Sequence, residues 1–385
     1  MLLTDRSAGF LTDGALIERI LDHLDRGTTD LSDSIWCEPV ANYRSADRLR
    51  REIEVVLQRQ PVPFCPSVAL PANGSYVARV AGGTPIVATR GDDGVVRAFR
   101  NSCRHRGTAL VDGHGCARSL VCPFHGWVYR LDGALRHVPD QYGFPGLDRA
   151  SNGLVPVATA EGQGVVFVDQ SATEIDAVTL AGLPEVLGAD QELLGTNEDV
   201  IDVNWKVFLE GFLEGYHIKA THRQTFFPFG YDNVNVVEHC GRHSRVTFPF
   251  RRIEALRDVP PAERRLDGML TTVQHIFPNV IVARLSHHTS MVVLEPTSVD
   301  QTTIVSYLLA HRRGEASGTQ EARATQAARD TDFVRVGLKE DREMARAVQR
   351  GLASGANDAL QFGRFEGAIV HFHRQLTKLL GDEPL

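Results

Sequence analysis

Four side chains that bind transition metals stand in two pairs, Cys103-Arg-His105 and Cys122-Pro-Phe-His125, separated by residues 106–121. Each pair joins one soft thiolate to one borderline imidazole, so two opposed loops could wrap a compact metal site between them. A structural zinc site uses the same four side chains, and a zinc-ribbon interaction protein is the reading that would follow. Zinc fingers, however, commonly pair cysteine with cysteine and histidine with histidine along the chain, whereas here each loop mixes the two. That mixture suits a [2Fe-2S] centre in which both cysteines hold one iron and both histidines the other. Cys37, Cys65, Cys116 and Cys240 have no partner at ligand spacing and read as small packed or surface thiols.

A second constellation runs from Asn204-Trp-Lys through Glu210 and Glu214 to His217 and His222. Histidines five apart lie about 140° apart around an ideal helix, so both reach one metal only if the helix ends or distorts between them. Alone, such a pair could equally be two unrelated polar residues at a helix end. Glu214, one turn before His217 on the same face, can orient that imidazole from behind.

The wording C-R-H-R-G and C-P-F-H-G-W resembles the Rieske family. The N-W-K stretch, with an acid three residues before Tyr216-His217 and a histidine five further on, resembles the catalytic motif of Rieske non-haem iron oxygenase α subunits. The four-residue step from Glu210 to Glu214 is similar to the homotrimeric single-subunit branch. The resemblance covers most of the chain from about residue 60.

It implies an α+β protein, an all-β Rieske [2Fe-2S] domain followed by a helix-grip catalytic domain. Cys103, His105, Cys122 and His125 would hold the cluster, and His217, His222 and one carboxylate a mononuclear Fe2+. In LKEDREMARAVQRGL, residues Leu338, Asp341, Ala345, Val348 and Leu352 form one stripe, which puts Asp341 on an otherwise apolar face, with Glu340 pointing away. A buried, unpaired carboxylate is costly, so Asp341 should bind metal or pair with an arginine; the resemblance favours metal.

The implied activity is that of a terminal oxygenase, which hydroxylates, dihydroxylates or oxidatively demethylates a small organic substrate with O2. No dinucleotide fingerprint follows a strand, so electrons should come from a separate ferredoxin or NAD(P)H reductase. Glu214 would bridge His217 to a neighbouring subunit's cluster histidine, His125, in a head-to-tail homotrimer. The rival is a Rieske electron-transfer or scaffold protein with an idle C-terminal domain. Gly211 and Gly215 depart from the pattern, since many members carry larger residues there.

These sites need elements to position them, and 385 residues provide for two domains. Apolar Ala15, Leu16, Ile20, Leu21 and Leu24 predict an N-terminal helix, and Ser45 caps a second with Leu49, Ile53 and Val56. From Ser75 short Val-rich runs separated by GG, GDDG and LDG predict an all-β stretch. A helix through Trp205–Tyr216, further strands, and a helical region over 321–380 interrupted near Gly355 complete the chain. The expected divisions are an N-terminal helical segment (1–45) packing on the catalytic domain, the Rieske domain (46–168) and the catalytic domain (169–385). Residues 312–322 read as a loop.

With 41 Lys and Arg against 48 Asp and Glu, the net charge of −7 has the wrong sign for a nucleic-acid partner. No apolar run is long enough to span a membrane. Six cysteines without a disulfide pattern, and an N-terminus without a secretory signal, lead to the expectation of a cytoplasmic protein. Phe226, Phe227, Phe229 and Tyr231 could wall an aromatic or cationic pocket, or simply pack.

Overall fold

The computed structural model describes residues 9–176, 182–188, 190–285, 288–311 and 320–382. It divides into two compact units, Ile53–Ala181 with Leu187–Ala189, and Met1–Glu52 with Gly182–Val186 and Asp190–Leu385. The loop expected at 312–322 lies mainly outside the described residues.

The smaller unit is built mainly of β-strands, with short helical turns at Glu52–Leu57, where it begins, Ser67–Ala69 and Gln141–Gly143. Seven antiparallel strands run in the order Val62–Pro66, Val165–Asp169, Pro156–Gly162, Val96–Arg100, Thr84–Arg90, Ser75–Ala81 and Gly113–Cys116. A three-stranded sheet, Leu120–Val121, Val128–Tyr129 and Leu135–His137, carries the second Cys-His pair. Cys103, Cys122, Trp127, Tyr129 and Leu135 share one buried cluster with Phe99 and Leu110, so the metal-binding loops are rooted in the core.

In the larger unit a seven-stranded antiparallel sheet runs Gln191–Ile201, Gln301–His311, Thr289–Ser298, Val280–Arg284, Leu270–Ile276, His243–Pro249 and Val236–Cys240. The C-terminal helix Gly367–Leu380 packs on the last two, burying Ile369, Val370, Phe372 and Leu376. At the N-terminus, Asp13–Arg26 is helical, ended by Gly27 in the left-handed conformation. Its buried face is Leu16, Ile17, Ile20 and Leu21; Ala15 stays exposed. Ser45 caps Ala46–Arg51 by accepting from Arg48 N–H at 3.2 Å.

Two expectations are corrected here. The helix predicted to reach Tyr216 stops at Glu210, and the chain continues in tight turns. A side chain at Gly215 would force a neighbour to move, since a Cβ would sit 2.3 Å from Asn235 Oδ1. The C-terminal region also contains a strand, Ala359–Phe362, paired antiparallel with Trp36–Pro39. Gly355, at φ +72°, supplies the break before it. No helix among the described residues is long and apolar enough to cross a membrane.

Candidate metal centres

The two Cys-His loops are built alike. Gly107 N–H donates to Cys103 O at 2.8 Å and Gly126 N–H to Cys122 O at 3.0 Å, closing each loop on its own cysteine. Both glycines have positive φ, +80° and +72°, which explains the final glycine of each motif. The cysteine residues are buried and free of disulfides. Tyr129 braces the first loop: its hydroxyl accepts from Arg104 N–H at 2.9 Å and lies 3.3 Å from Cys103 Sγ.

His105 and His125 face each other with ring centroids 4.7 Å apart, and His105 stacks on Trp127. His105 Nδ1 is buried without a hydrogen-bond partner, an orphan that a metal would satisfy. Two buried thiols, an orphaned imidazole nitrogen and the more exposed His125 form a donor set suited to an iron–sulfur cluster.

In the larger unit His217, His222 and Asp341 bring their ligand atoms within 4.8 Å of one another. The helix ends between the histidines as the spacing required. Only Ile218–Thr221 is helical, with His217 just before it and His222, at φ −98° and ψ 35°, just after. Asp341 comes from the long helix Gln320–Leu352, with Oδ1 2.8 Å from His222 Nε2 and 3.6 Å from His217 Nε2. Its neighbour Arg342 points elsewhere and pairs with Asp199.

Each imidazole is backed by a carboxylate. Glu214 Oε1 bonds His217 Nδ1, while its Oε2 accepts from the backbone N–H groups of Tyr216 and His217. Glu340 Oε2 bonds His222 Nδ1 at 2.8 Å and accepts from Thr225 Oγ1 at 2.6 Å. Both rings are thereby turned with Nε2 toward Asp341, the orientation a shared metal needs. Sequence reasoning missed Glu340: it does lie off the helix stripe, but His222 reaches around to it. Val348, placed on the stripe, is 42% exposed; among the described positions of the helix the buried ones are Gly337, Ala345 and Leu352.

The charge balance also fits a cation. Three carboxylates, Glu214, Glu340 and Asp341, surround two imidazoles. Burial opposes a charge on His217, but hydrogen bonds and charges from Asp341 and Glu214 outweigh it and raise its pKa to about 10. Burial likewise opposes the Asp341 charge, yet its bonds to the histidines hold the carboxyl below its ordinary value. A divalent ion would take the place of the added His217 proton.

Packing fixes the ligands from outside. Phe226 lies against His222, ring centroids 4.5 Å apart, and fills the space over Gly337, where a Cβ would fall 2.1 Å from the Phe226 ring. Phe227 and Tyr231 do not wall an empty cage, because the Arg251 guanidinium sits over both at 5.4 and 5.1 Å. Phe229 is 56% exposed.

The N-W-K stretch fastens the N-terminal segment. Asn204 Nδ2 donates to Tyr43 O at 2.9 Å, Trp205 Nε1 to Glu52 Oε2 at 3.0 Å, and Lys206 Nζ to Asn42 O at 2.9 Å and Glu52 Oε1 at 2.5 Å. Lys206 and Glu52 are fully buried, so the lysine charge depends on Glu52, whose Oε1 also accepts from Arg48 Nε at 2.9 Å.

The family described as ring hydroxylating alpha subunit (catalytic domain) matches residues 171–382, and the Rieske [2Fe-2S] domain matches residues 60–148. The carnitine monooxygenase oxygenase subunit of Escherichia coli (strain K12) is 28% identical over 90% of this chain and 94% of its own. The glycine betaine monooxygenase oxygenase subunit of Chromohalobacter salexigens is 27% identical over 79% and 76%. In fold, a quaternary ammonium Rieske monooxygenase solved with L-carnitine superposes with a TM-score of 0.73 at 21% identity, covering 91% of this chain and 96% of that one. Naphthalene 1,2-dioxygenase with indole bound gives 0.72 at 18%, covering 90% and 92%. With a Rieske domain ahead of a ring-hydroxylating catalytic domain, this chain belongs to the Rieske non-haem iron oxygenase alpha subunits and is the oxygenase component that works with a separate reductase.

Proposed function

We propose that this oxygenase oxidises a small quaternary ammonium compound by monooxygenation. The observation that carries the reading is the likeness to carnitine and glycine betaine monooxygenase subunits along most of both chains.

The overall reaction inserts one oxygen atom into a C–H bond. The other leaves as water, at a cost of two electrons and two protons. At a carbon next to a quaternary nitrogen the resulting alcohol loses its proton and expels a neutral tertiary amine, leaving a carbonyl group. Cys103, His105, Cys122 and His125 would hold the cluster, which would supply one-electron transfer, and His217, His222 and Asp341 the iron, which would supply oxygen activation.

Glu214 and Glu340 keep each ring's Nδ1 proton and free Nε2 for the metal. Glu214 also lies at the end of the electron path, toward His125 of a neighbouring subunit in a homotrimer closed head to tail. A cytoplasmic setting, where NAD(P)H and a reductase or ferredoxin are available, suits this assignment. An electron-carrier or scaffold role would leave the convergent triad and its two backing carboxylates without a purpose.

The test is turnover of the iron-loaded protein with a ferredoxin–reductase pair on carnitine, glycine betaine and choline, with benzoate and naphthalene as contrasts. Oxygen uptake matched by amine and carbonyl product from a quaternary ammonium compound is expected. Turnover confined to the aromatic compounds would overturn the substrate class.

A further inference from the structure

Next to the short helix Trp205–Glu210 lies a buried carboxylate–imidazole–carboxylate group that the reaction scheme does not use. His373, on the C-terminal helix, is 1% exposed. Its Nε2 lies 2.9 Å from Glu210 Oε1 and its Nδ1 3.3 Å from Glu38 Oε2. Glu210 Oε1 also accepts from the fully buried Tyr43 hydroxyl at 2.7 Å. Glu38 is held in turn by Trp36 Nε1 and Asn42 Nδ2, both at 2.8 Å. Trp36 and Phe362 stack on the His373 ring. Glu210 thus has two buried polar partners, the Tyr43 hydroxyl and His373 Nε2, while His373 Nδ1 faces Glu38 across 3.3 Å without a hydrogen bond.

Glu210 is one hydrogen-bonded turn from the iron site. Phe212 N–H donates to Leu209 O and Leu213 N–H to Glu210 O, each at 3.0 Å, and the next residue is Glu214. Glu366, just before the C-terminal helix, senses both acids. Burial, opposed by a hydrogen bond from Gly363 N–H and reinforced by the charges of Glu214 and Glu210, raises its carboxyl to about 7. The group and the Glu214 carboxylate therefore share one small region of the domain.

We propose that His373 is a positioning residue for the iron site: by its hydrogen bond to Glu210, with Glu38 packed alongside, it fixes the end of Trp205–Glu210, and through the turn to Glu214 it sets the carboxylate behind His217. The inference rests on the reading of Glu214 as the acid that backs His217 in electron transfer.

The experiment compares His373→Gln, Tyr43→Phe and Glu214→Gln with the native chain, as intact oligomers loaded with iron. Three quantities are read: the rate at which a chelator removes the mononuclear iron, cluster reoxidation in a single turnover, and the thermal midpoint. His373→Gln should keep the cluster spectrum, lose its mononuclear iron roughly tenfold faster and reoxidise more slowly. Tyr43→Phe should move both in the same direction by less, since Glu210 keeps one of its two donors. A lowered thermal midpoint with native iron release and native reoxidation in both variants would make the group structural only and overturn the proposal. If His373→Gln does not fold, Tyr43→Phe decides alone by the same two rates. Native reoxidation in Glu214→Gln would instead refute the reading of Glu214, while the iron-release rates would still decide the role of His373.

Discussion

Replacing Gly337 with alanine puts a methyl group into space that the Phe226 ring already fills. The added Cβ would lie 2.1, 2.4 and 2.9 Å from three ring carbons, whereas ordinary contact begins at 3.4 Å. The ring must therefore retreat by more than an ångström, and it is backed by His222. In an unobstructed helix interior the change would stabilise by about 1 kcal/mol through helix propensity. Overpacking costs about 1–3 kcal/mol, so the net effect should be destabilising by about 1 kcal/mol, or about 2–4 °C in a unit of this size. Gly351 is the control, since it lies on the same helix and a Cβ added there would meet nothing within 4 Å. Gly351→Ala should raise the midpoint slightly. Thermal melts of both variants, with mononuclear iron assayed alongside, give the comparison. If Gly337→Ala stabilises as Gly351→Ala does, Phe226 does not press on that helix and the packing argument for His222 fails.

Asp341→Ala should keep the visible spectrum of the cluster while total iron falls from about three to about two per chain, because two imidazoles alone hold ferrous iron poorly; unchanged iron would move the ligand role to another acid. Glu340→Gln preserves size but removes the charge behind His222, and iron titration should show affinity weakened roughly tenfold; native affinity would reduce Glu340 to a surface acid. Stability should also fall in acid through His275, which is fully buried and whose pKa burial lowers from 6.5 to about 3. Between those values the unfolded chain binds a proton that the folded chain does not. The contribution is therefore complete above pH 6.5 and is lost by about 1.4 kcal/mol per pH unit as pH falls toward 3. Urea midpoints from pH 7.5 to 4.5 should decline more steeply for the native chain than for His275→Gln, and equal slopes would contradict the assignment.

The cluster loops were legible because each motif is contiguous: the cysteine, histidine and positive-φ glycine lie within five residues, so spacing alone encodes the loop. His217 and His222 were legible for the same reason, and Asp341 because a carboxylate on an apolar helix stripe needs a partner. Glu340 was not, since its bond to His222 depends on how far a side chain reaches around the helix, which periodicity does not record. A glycine in the middle of a 33-residue helix was a signal for Gly337, but its partner Phe226 is distant in sequence. Glu38, Tyr43 and Glu52 carried no local signal; their roles come from the long-range closure of the N-terminal segment on Asn204-Trp205-Lys206, Glu210 and His373. The strand Ala359–Phe362 was missed because four residues paired with a distant partner leave no period to read.

The central claim is that cluster and iron form one electron path ending at substrate, with Glu214 between them. Its most direct measurement is a single turnover: the cluster is reduced chemically, oxygen and a quaternary ammonium substrate are added, and cluster reoxidation is followed together with product. The native chain should reoxidise as product forms, while Glu214→Gln, with both centres fully loaded, should reoxidise slowly and form little product. Native rates in Glu214→Gln would contradict the path, and reoxidation of the native cluster without product would contradict the coupling of the two centres.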